Sequence, residues 1–470
     1  HIGRAVVYTP SALLTNYSIP SVTTPVVFDD HLQFSATTYV GNNVGNNVGN
    51  NTGKVVIAYV DYNAVAPNYP EGMPGARYTA AIVGTVTGTG ITFGTPVEFQ
   101  PRHAVQYRHH PGDPLVGNGY PEYNGSSSLI YLDHPSQYAS NIISTYDSIN
   151  DRVVIAYEDS YYRFGHHGAS GGPFGVAVVG EVTGTGITFG NPVIFEGWDQ
   201  SSYMGGIDDP AITYDSTNGK VVIAYSSRGN YTHGKAVVGT VDPSNNSIGF
   251  GTAVKFESNY VGLGAVAHEG DRNPTGISAT YDSINDKVVI AYKVSDGPYM
   301  QQYEAPGMMY GIPLGPSRGT AIVGTIDHSD NSIGFGTTAV FHSARCDHIS
   351  ATFDSANGKV VIAYSDETNT EWHTADRSYT PPLNLTSAYG MVIVGTVDAS
   401  NNTIGFGSTA YFNPTNSTSH IISTYNSTDE KVLIAYKDYN ASGYRYRSNA
   451  IEGTVVGTAI TFSTPVEYAP

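Results

Sequence analysis

The sequence predicts an all-β chain: a β-propeller of six four-stranded modules with an extra half module at its N-terminus. Three observations carry this. The phrase Val-Val-Ile-Ala-Tyr, or a conservative variant, occurs six times. Each copy is followed by a phrase near Ala-Ile-Val-Gly-Thr-Val and a third near Ile-Gly-Phe-Gly-Thr-Ala-Val-Phe. No long window shows helical periodicity, and the apolar runs are of strand length and rich in valine, isoleucine, threonine and tyrosine.

The fifth copy defines the unit. Ile349 to Phe353 alternates as a half-buried strand, Asp354 to Lys359 turns the chain, and Val360 to Tyr364 is a β-branched run ending in an aromatic residue. After a variable stretch, Met391 to Val397 and Ile404 to Phe412 read as two more strands around a turn at Asp398 to Thr403. The second strand of the other modules falls at Val55 to Tyr59, Val153 to Tyr157, Val221 to Tyr225, Val288 to Tyr292 and Val432 to Tyr436.

A four-stranded meander exposes two edges and cannot bury both faces alone, so each copy needs neighbours. Radial stacking of six sheets meets that need. A linear solenoid would have shorter and more uniform repeats than the first spacing here, where Val55 and Val153 stand 98 positions apart. Turns between strands one and two, and three and four, are short; the other connections vary widely and emerge together at the opposite face. The long excursions are Gln100 to Asn141, Asp61 to Arg77, Asp159 to Gly175, Lys293 to Gly319 and Asp366 to Gly390. Their tyrosine, glycine and proline content suits ordered surface loops, and recognition or chemistry is expected on that face.

Residues 1–30 look like the second half of a module, and residues 31–470 form the six-module domain. Ala5 to Tyr8 matches the third-strand pattern loosely, and Thr24 to Phe28 resembles Thr95 to Phe99. This orphan pair could pack locally on the first blade, complete an irregular seventh blade, or dock against another copy of the chain. Val6, Val7, Tyr8, Pro25, Val26, Val27 and Phe28 are the residues expected to carry such an assembly contact.

A formal net charge of −18, with no lysine or arginine block, argues against a nucleic-acid partner. No run is long enough for a transmembrane helix. A first residue of histidine suggests processing after a signal peptide and a secreted, extracellular protein. Ten Asn-x-Ser/Thr acceptors fit that setting: Asn16, Asn50, Asn124, Asn230, Asn245, Asn384, Asn401, Asn416, Asn426 and Asn440. Covalent glycans are therefore expected partners. The single cysteine, Cys346, forbids an intrachain disulfide and reads as a buried thiol, with intermolecular pairing the lesser alternative.

The search for chemistry returns little. Asp147, Asp215, Asp282 and Asp354 recur at one turn, with Asn426 in their place in the last copy, and read as turn caps. Asp61, Asp159, Asp366 and Asp438 follow the second-strand tyrosine; calcium ligation is conceivable for them, but a solvated loop start is the plainer reading. No cofactor is required. Copper at His1, with His103, His109, His110, His166 or His167, has no support from spacing. His134 lies in the longest excursion with His103, His109 and His110. There is no nucleophile elbow, His-Glu-x-x-His helix, P-loop or dinucleotide fingerprint, and no Ser-x-Asp-x-Gly-x-x-Trp box of sialidase-type propellers.

The phrases Lys-Val-Val-Ile-Ala-Tyr, Gly-Thr-Ala-Ile-Val-Gly-Thr and Ser-Ile-Gly-Phe-Gly-Thr resemble those of tandem-repeat extracellular β proteins. They are also similar in style to subunits of environmental glycoprotein filaments, over most of residues 31–470. The resemblance implies an extracellular structural glycoprotein that self-assembles as a filament subunit, with glycans covering its exposed sides and no catalytic activity. The competing expectation is a multivalent carbohydrate-binding lectin or adhesin, with tyrosines stacking on sugar rings and Asp or Asn holding hydroxyls.

Overall fold

In the computed structural model, six antiparallel sheets, each a four-stranded meander with its outer strand divided in two, form the six blades of a β-propeller, with no helix among the described residues. The structure describes residues 32–40, 52–61, 78–99 (except 88 and 89), 138–160, 174–199, 204–227, 233–257, 276–295, 317–368, 388–440 and 445–469, with short paired strands between them. Within these, no helix is long and apolar enough to cross a membrane.

Blade two shows the pattern. Its inner strand Tyr138–Asp147 pairs with Arg152–Ser160, which pairs with Phe174–Thr183. The expected fourth strand is two short ones, Gly186–Phe189 and Val193–Glu196, both on the third strand. In the fifth blade the run expected at Ile404 to Phe412 is likewise divided into Thr403–Phe406 and Ala410–Asn413. The break occurs where a glycine N–H still reaches the third strand, as Gly407 does to the Val394 carbonyl at 2.9 Å. That glycine is required by its neighbour. A Cβ on Gly190, Gly251 or Gly336 would lie 2.0–2.2 Å from the backbone oxygen of Asn246, Asn331 or Asn402 in the next blade's outer turn. In blade six the corresponding residue is Ser463.

Buried apolar residues join the blades in series, with one core between each of the five consecutive pairs from blade one to blade six. Central strands are buried on both faces, as in Lys220–Ser227. Each fully buried isoleucine there, such as Ile223, Ile290 or Ile362, contributes roughly 1.5–3 kcal/mol over leaving it exposed. Blade six differs: Val432, Ile434 and Tyr436 are buried against blade five, while Leu433 and Ala435 on the other face are half-buried.

An aromatic trio recurs at each interface. The outer-strand phenylalanine of one blade meets the second-strand tyrosine and outer-strand phenylalanine of the next, as Phe256 meets Tyr292 (5.1 Å between centroids) and Phe335 (5.8 Å). Phe99, Phe195, Phe341 and Phe412 do the same. The module-start aspartates are turn caps as expected: the fully buried Asp354 accepts from the N–H groups of Ala356 and Asn357, both at 3.1 Å, and from the Asn357 amide at 2.8 Å. Asn426 accepts the Thr428 N–H at 3.0 Å in the same position.

In the N-terminal segment Gly3–Ala5 pairs antiparallel with Val26–Asp29, with a bulge after Gly3. The third and outer strands of blade two have the same register, with a bulge after Gly175. Val6, Val7 and Pro25, and the side chains of Tyr8, Val26, Val27 and Phe28, lie outside the described residues.

Candidate functional site

The first strands of consecutive blades, from blade one to blade six, touch one another and so line the inside of the propeller. In five of them the pairing slips at one place, by a single residue at Gln33/Ser35 in blade one and by two at Ser140/Ile143, Asp208/Ala211, Asp347/Ser350 and Ser419/Ile422. Each of the four two-residue slips holds a non-glycine residue in the left-handed region, Asn141 (φ 48), Asp209 (φ 46), His348 (φ 51) and His420 (φ 52). Bulges re-aim side chains, and here they put a different polar group at one level of successive blades. The His348 and His420 rings stack 5.3 Å apart.

The residue after the second-strand tyrosine lies beside this level, and two of these are charged and buried. Glu158 accepts from Ser140 Oγ at 3.0 Å and from the Asn141 amide at 2.5 Å. Lys293 of blade four donates to Asp347 of blade five at 2.9 Å, with only 3% of its side chain exposed. Asp209 is 8% exposed and its carboxyl makes no hydrogen bond among the described residues. Burial, then the neighbouring Asp208, Glu158 and Asp347, push the Asp209 carboxyl well above the ordinary range against the opposing pull of Lys293. Asp347 is the reverse case. Burial works upward on it but is outweighed by the Lys293 ammonium, His348 and their hydrogen bonds, so its carboxyl lies below the usual range. Three blades thus contribute two carboxyls with shifts of opposite sign, Asp209 and Asp347, and the Lys293 ammonium, and blade two adds Glu158.

A second cluster occupies the short-turn face. Asp215, Asp286 and His328 can each offer an atom within 4.8 Å of the others. His328 Nδ1 stands 3.6 Å from Asp215 Oδ2, and Nε2 stands 3.6 Å from Asp286 Oδ2. The Asp215 Oδ1 already holds its own turn through Thr217 and Asn218, and Asp286 Oδ1 accepts from Tyr281 at 2.8 Å. The remaining oxygens and one imidazole nitrogen form a donor set that could hold a metal ion.

The third place is a cavity of about 450 Å³ where blade five meets blade six. At the matching position between blades two and three, Glu196 accepts from Tyr225 at 2.7 Å and Lys235 at 2.8 Å. Between blades three and four, Glu257 accepts from Tyr292 at 3.2 Å. Between blades five and six the residue is Asn413, shorter and turned to Thr418 at 2.9 Å, and space opens beside Tyr436. Asp438, 6% exposed, lines this space with Oδ1 buried and unpartnered while Oδ2 accepts from Asn416 at 3.1 Å. The Tyr436 hydroxyl and the Asn449 amide also make no hydrogen bond among the described residues and line the same cavity. Burial, then the Asp438 charge, pushes the Tyr436 hydroxyl up to about 12.

Several expectations change. Asp159 and Asp438 were expected to be solvated loop starts, but both are buried, at 3% and 6% exposure. Asp366 accepts from or pairs with His342 at 3.2 Å, and Asp61 ends the strand Thr52–Asp61. Cys346 is buried, and burial pushes its thiol well up. Among the acceptor asparagines, Asn245 and Asn401 are exposed in outer turns, Asn416 and Asn426 are half-buried, and Asn440 ends a strand. Asn16, Asn50, Asn124, Asn230 and Asn384 lie outside the described residues, as do His1, His103, His109, His110, His134, His166 and His167.

The larger correction concerns activity. A non-catalytic structural filament subunit rested on the premise that no titratable groups converge. Asp215, Asp286 and His328 do converge, and so do the groups around Asp209 and Lys293. The expectations of a purely structural role and of no enzyme both fall with that premise. The residues of the channel mouth, Asn141, Asp209, His348 and His420, were missed by sequence reasoning. Their signal was a position whose chemistry changes in every copy while the flanking strand repeats.

No family description matches the chain, and no curated protein does. Among solved structures it is similar to a Hadza microbial sialidase, with 9% identity and a TM-score of 0.38 over 70% of this chain and 58% of that one. A leech intramolecular trans-sialidase gives 8% identity and a TM-score of 0.41, over 92% of this chain and 68% of that one. A sucrose-6-phosphate hydrolase from Lactobacillus gasseri gives 10% and 0.30, over 67% and 58%. At these values the likeness assigns no activity to this chain.

Proposed function

We propose that the protein is a secreted carbohydrate-binding β-propeller whose sugar occupies the cavity between blades five and six. The observation that supports this is Asp438 Oδ1, buried without a partner, in a space of about 450 Å³ that Tyr436 and Asn449 also line. A pyranose offers several hydroxyl donors and acceptors to such a set, and its apolar face suits the neighbouring Phe412 and Phe462 rings. Leaving a buried acceptor unpaired costs about 1–3 kcal/mol, which a ligand hydroxyl recovers. Because Glu196 and Glu257 occupy the matching positions elsewhere, the reading is one principal sugar site, with any multivalency coming from other surfaces.

Attached N-glycans at Asn245 and Asn401 belong to the same extracellular reading, and a divalent cation at Asp215, Asp286 and His328 would brace the opposite face. Calcium suits the two carboxylates, and the imidazole favours a softer ion. The test is a glycan array followed by calorimetry on the best ligand. Asp438→Ala and Asn449→Ala are expected to weaken binding at least about 10-fold with the fold intact. An array with no binding, or binding indifferent to both substitutions, would refute the reading.

A further inference from the structure

The convergence of Asp215, Asp286 and His328 on the short-turn face departs from the repeat at two positions. The place of Asp286 in the turn after the first strand is held by Gly219 in blade three and Gly358 in blade five. The place of His328 in the outer turn is held by Pro243 in blade three and Ala399 in blade five. Blade four replaces both with metal-ligating side chains, and these meet the fully buried Asp215 of blade three. The turn itself does not need the imidazole. Asp242, Asp327 and Asp398 each accept the N–H of the serine two residues on, at 3.0 Å, whichever residue stands between.

The surrounding hydrogen bonds aim one oxygen of each carboxylate at the ring. Asp215 Oδ1 accepts the N–H groups of Thr217 and Asn218, both at 2.9 Å. Asp286 Oδ1 accepts from the Tyr281 hydroxyl at 2.8 Å and from the Asn218 amide at 3.2 Å. The two Oδ2 atoms stand 3.6 Å from His328 Nδ1 and Nε2 respectively. Asp215 Oδ2 also accepts from the Asn218 amide at 3.1 Å and keeps a second lone pair. One observation is independent of the carboxylates: His328 Nδ1 is shut off from solvent and makes no hydrogen bond among the described residues. Such a nitrogen is satisfied by a metal ion, with the neighbouring carboxylates supplying charge and their outer hydrogen bonds fixing their orientation.

We propose that Asp215, Asp286 and His328 bind a zinc-class divalent ion that ties the outer turn of blade four to the first turn of blade three. This gives the cation named above a chemical class, and it is independent of the sugar site. Zinc takes imidazole nitrogen and carboxylate oxygen at about 2.0–2.2 Å, which sets neighbouring donors of a tetrahedron roughly 3.3–3.6 Å apart. The 3.6 Å between Asp215 Oδ2 and His328 Nδ1 meets that spacing, and all three donors lie within 4.8 Å of one another. Asp286 and His328 are part-exposed turn residues, so closing the remaining gap of about 1 Å moves only surface side chains. Water takes the fourth position on the exposed side. Calcium is disfavoured because it requires about six to eight oxygens, and this set gives two oxygens and a nitrogen.

The probe is zinc chloride, added to the full chain after treatment with a chelator and its removal, with calcium and magnesium chloride in parallel. Calorimetry and thermal unfolding are the readouts. Zinc is expected to bind and to raise Tm, and calcium and magnesium at the same concentration are expected to leave Tm unchanged. His328→Ala and Asp286→Ala should each weaken the zinc site about 10-fold or more and remove the gain in Tm. Both variants are expected to fold, since Ala399 and Gly219 stand at the matching places of other blades. Asp151→Ala is the control. Asp151 accepts from Tyr146 at 2.7 Å as Asp286 does from Tyr281, but the outer turn of blade two, Thr183 to Gly186, has no histidine. That variant should keep the full zinc response. No gain in Tm with zinc, a gain that survives both substitutions, or a gain lost equally in Asp151→Ala overturns the site, and an equal gain with calcium overturns the ion class. Glycan-array binding measured in chelator reports on the cavity alone, so the two readings fail separately.

Discussion

The ammonium of Lys293, on the second strand of blade four, lies 2.9 Å from the Asp347 carboxylate on the inner strand of blade five. Both residues are nearly enclosed, so the pair is an ionic clamp between blades rather than a surface contact. Breaking such a pair from one side leaves a buried charge alone, which costs about 3–5 kcal/mol. Lys293→Ala is therefore expected to lower the denaturation midpoint strongly. The joint replacement Lys293→Met with Asp347→Leu should recover most of that loss in the same urea titration.

Acid and alkaline stability should report the two channel carboxyls with opposite signs. Asp209 has a folded pKa raised above its unfolded value of about 3.9. Its contribution is present in full below that value and is lost as pH rises through the folded pKa. Asp209→Asn should thus raise Tm at about pH 8, with the gain closing by about pH 4. Asp347 has a depressed folded pKa, so its contribution is present above about pH 4 and is lost on further acidification. Asp347→Asn should lower Tm at neutral pH, and the gap should narrow in acid. A pair of Tm curves that moved in the same direction with pH would contradict this.

Blade spacing is set by missing Cβ atoms. Gly336→Ala would place a methyl group 2.0 Å from the Asn402 carbonyl oxygen, so one blade must shift. Overpacking of this kind costs about 1–3 kcal/mol. Ser463→Ala, at the same place in blade six, should change stability by less than about 0.5 kcal/mol. Equal losses for the two substitutions would show that the contact with the following blade is not what selects glycine.

The aromatic trios should dominate interface stability. Phe341 packs on Tyr364 at 5.2 Å and Phe406 at 6.0 Å, and only 6% of it is exposed. Phe341→Ala is expected to cost about 3–5 kcal/mol by chemical denaturation, and Phe341→Leu clearly less.

The turn aspartates make a sharper comparison. Asp354→Ala leaves the N–H groups of Ala356 and Asn357 without their acceptor and should cost about 1–3 kcal/mol. Asp354→Asn should cost little, because Asn426 holds the same turn in blade six. Thermal unfolding of the two variants side by side checks this.

The sequence by itself determined the strands, their order and the number of full modules, because strand alternation, β-branched runs and turn aspartates are local properties repeated in each copy. Val360 to Tyr364 and the Asp354 cap could be placed with no knowledge of a neighbour. The division of the outer strand was less visible. Gly407 reads as a turn residue, and only contact with Thr458 of the next blade shows that its missing side chain is a packing requirement. The channel mouth was not legible at all. Glu158, Asp209, Lys293 and Asp347 come from four blades, and each is an ordinary polar residue in its own strand. The shifted proton affinities of Asp209, Lys293 and Asp347 arise from shared burial and mutual charge, which exist only once the blades stack. The cavity beside Tyr436 has the same origin, since Asn413 leaves a space only relative to the Glu196 and Glu257 that fill its counterparts. Local sequence fixes the backbone pattern because hydrogen-bonded strands answer to nearby residues, whereas volume and electrostatic environment belong to the assembled blades.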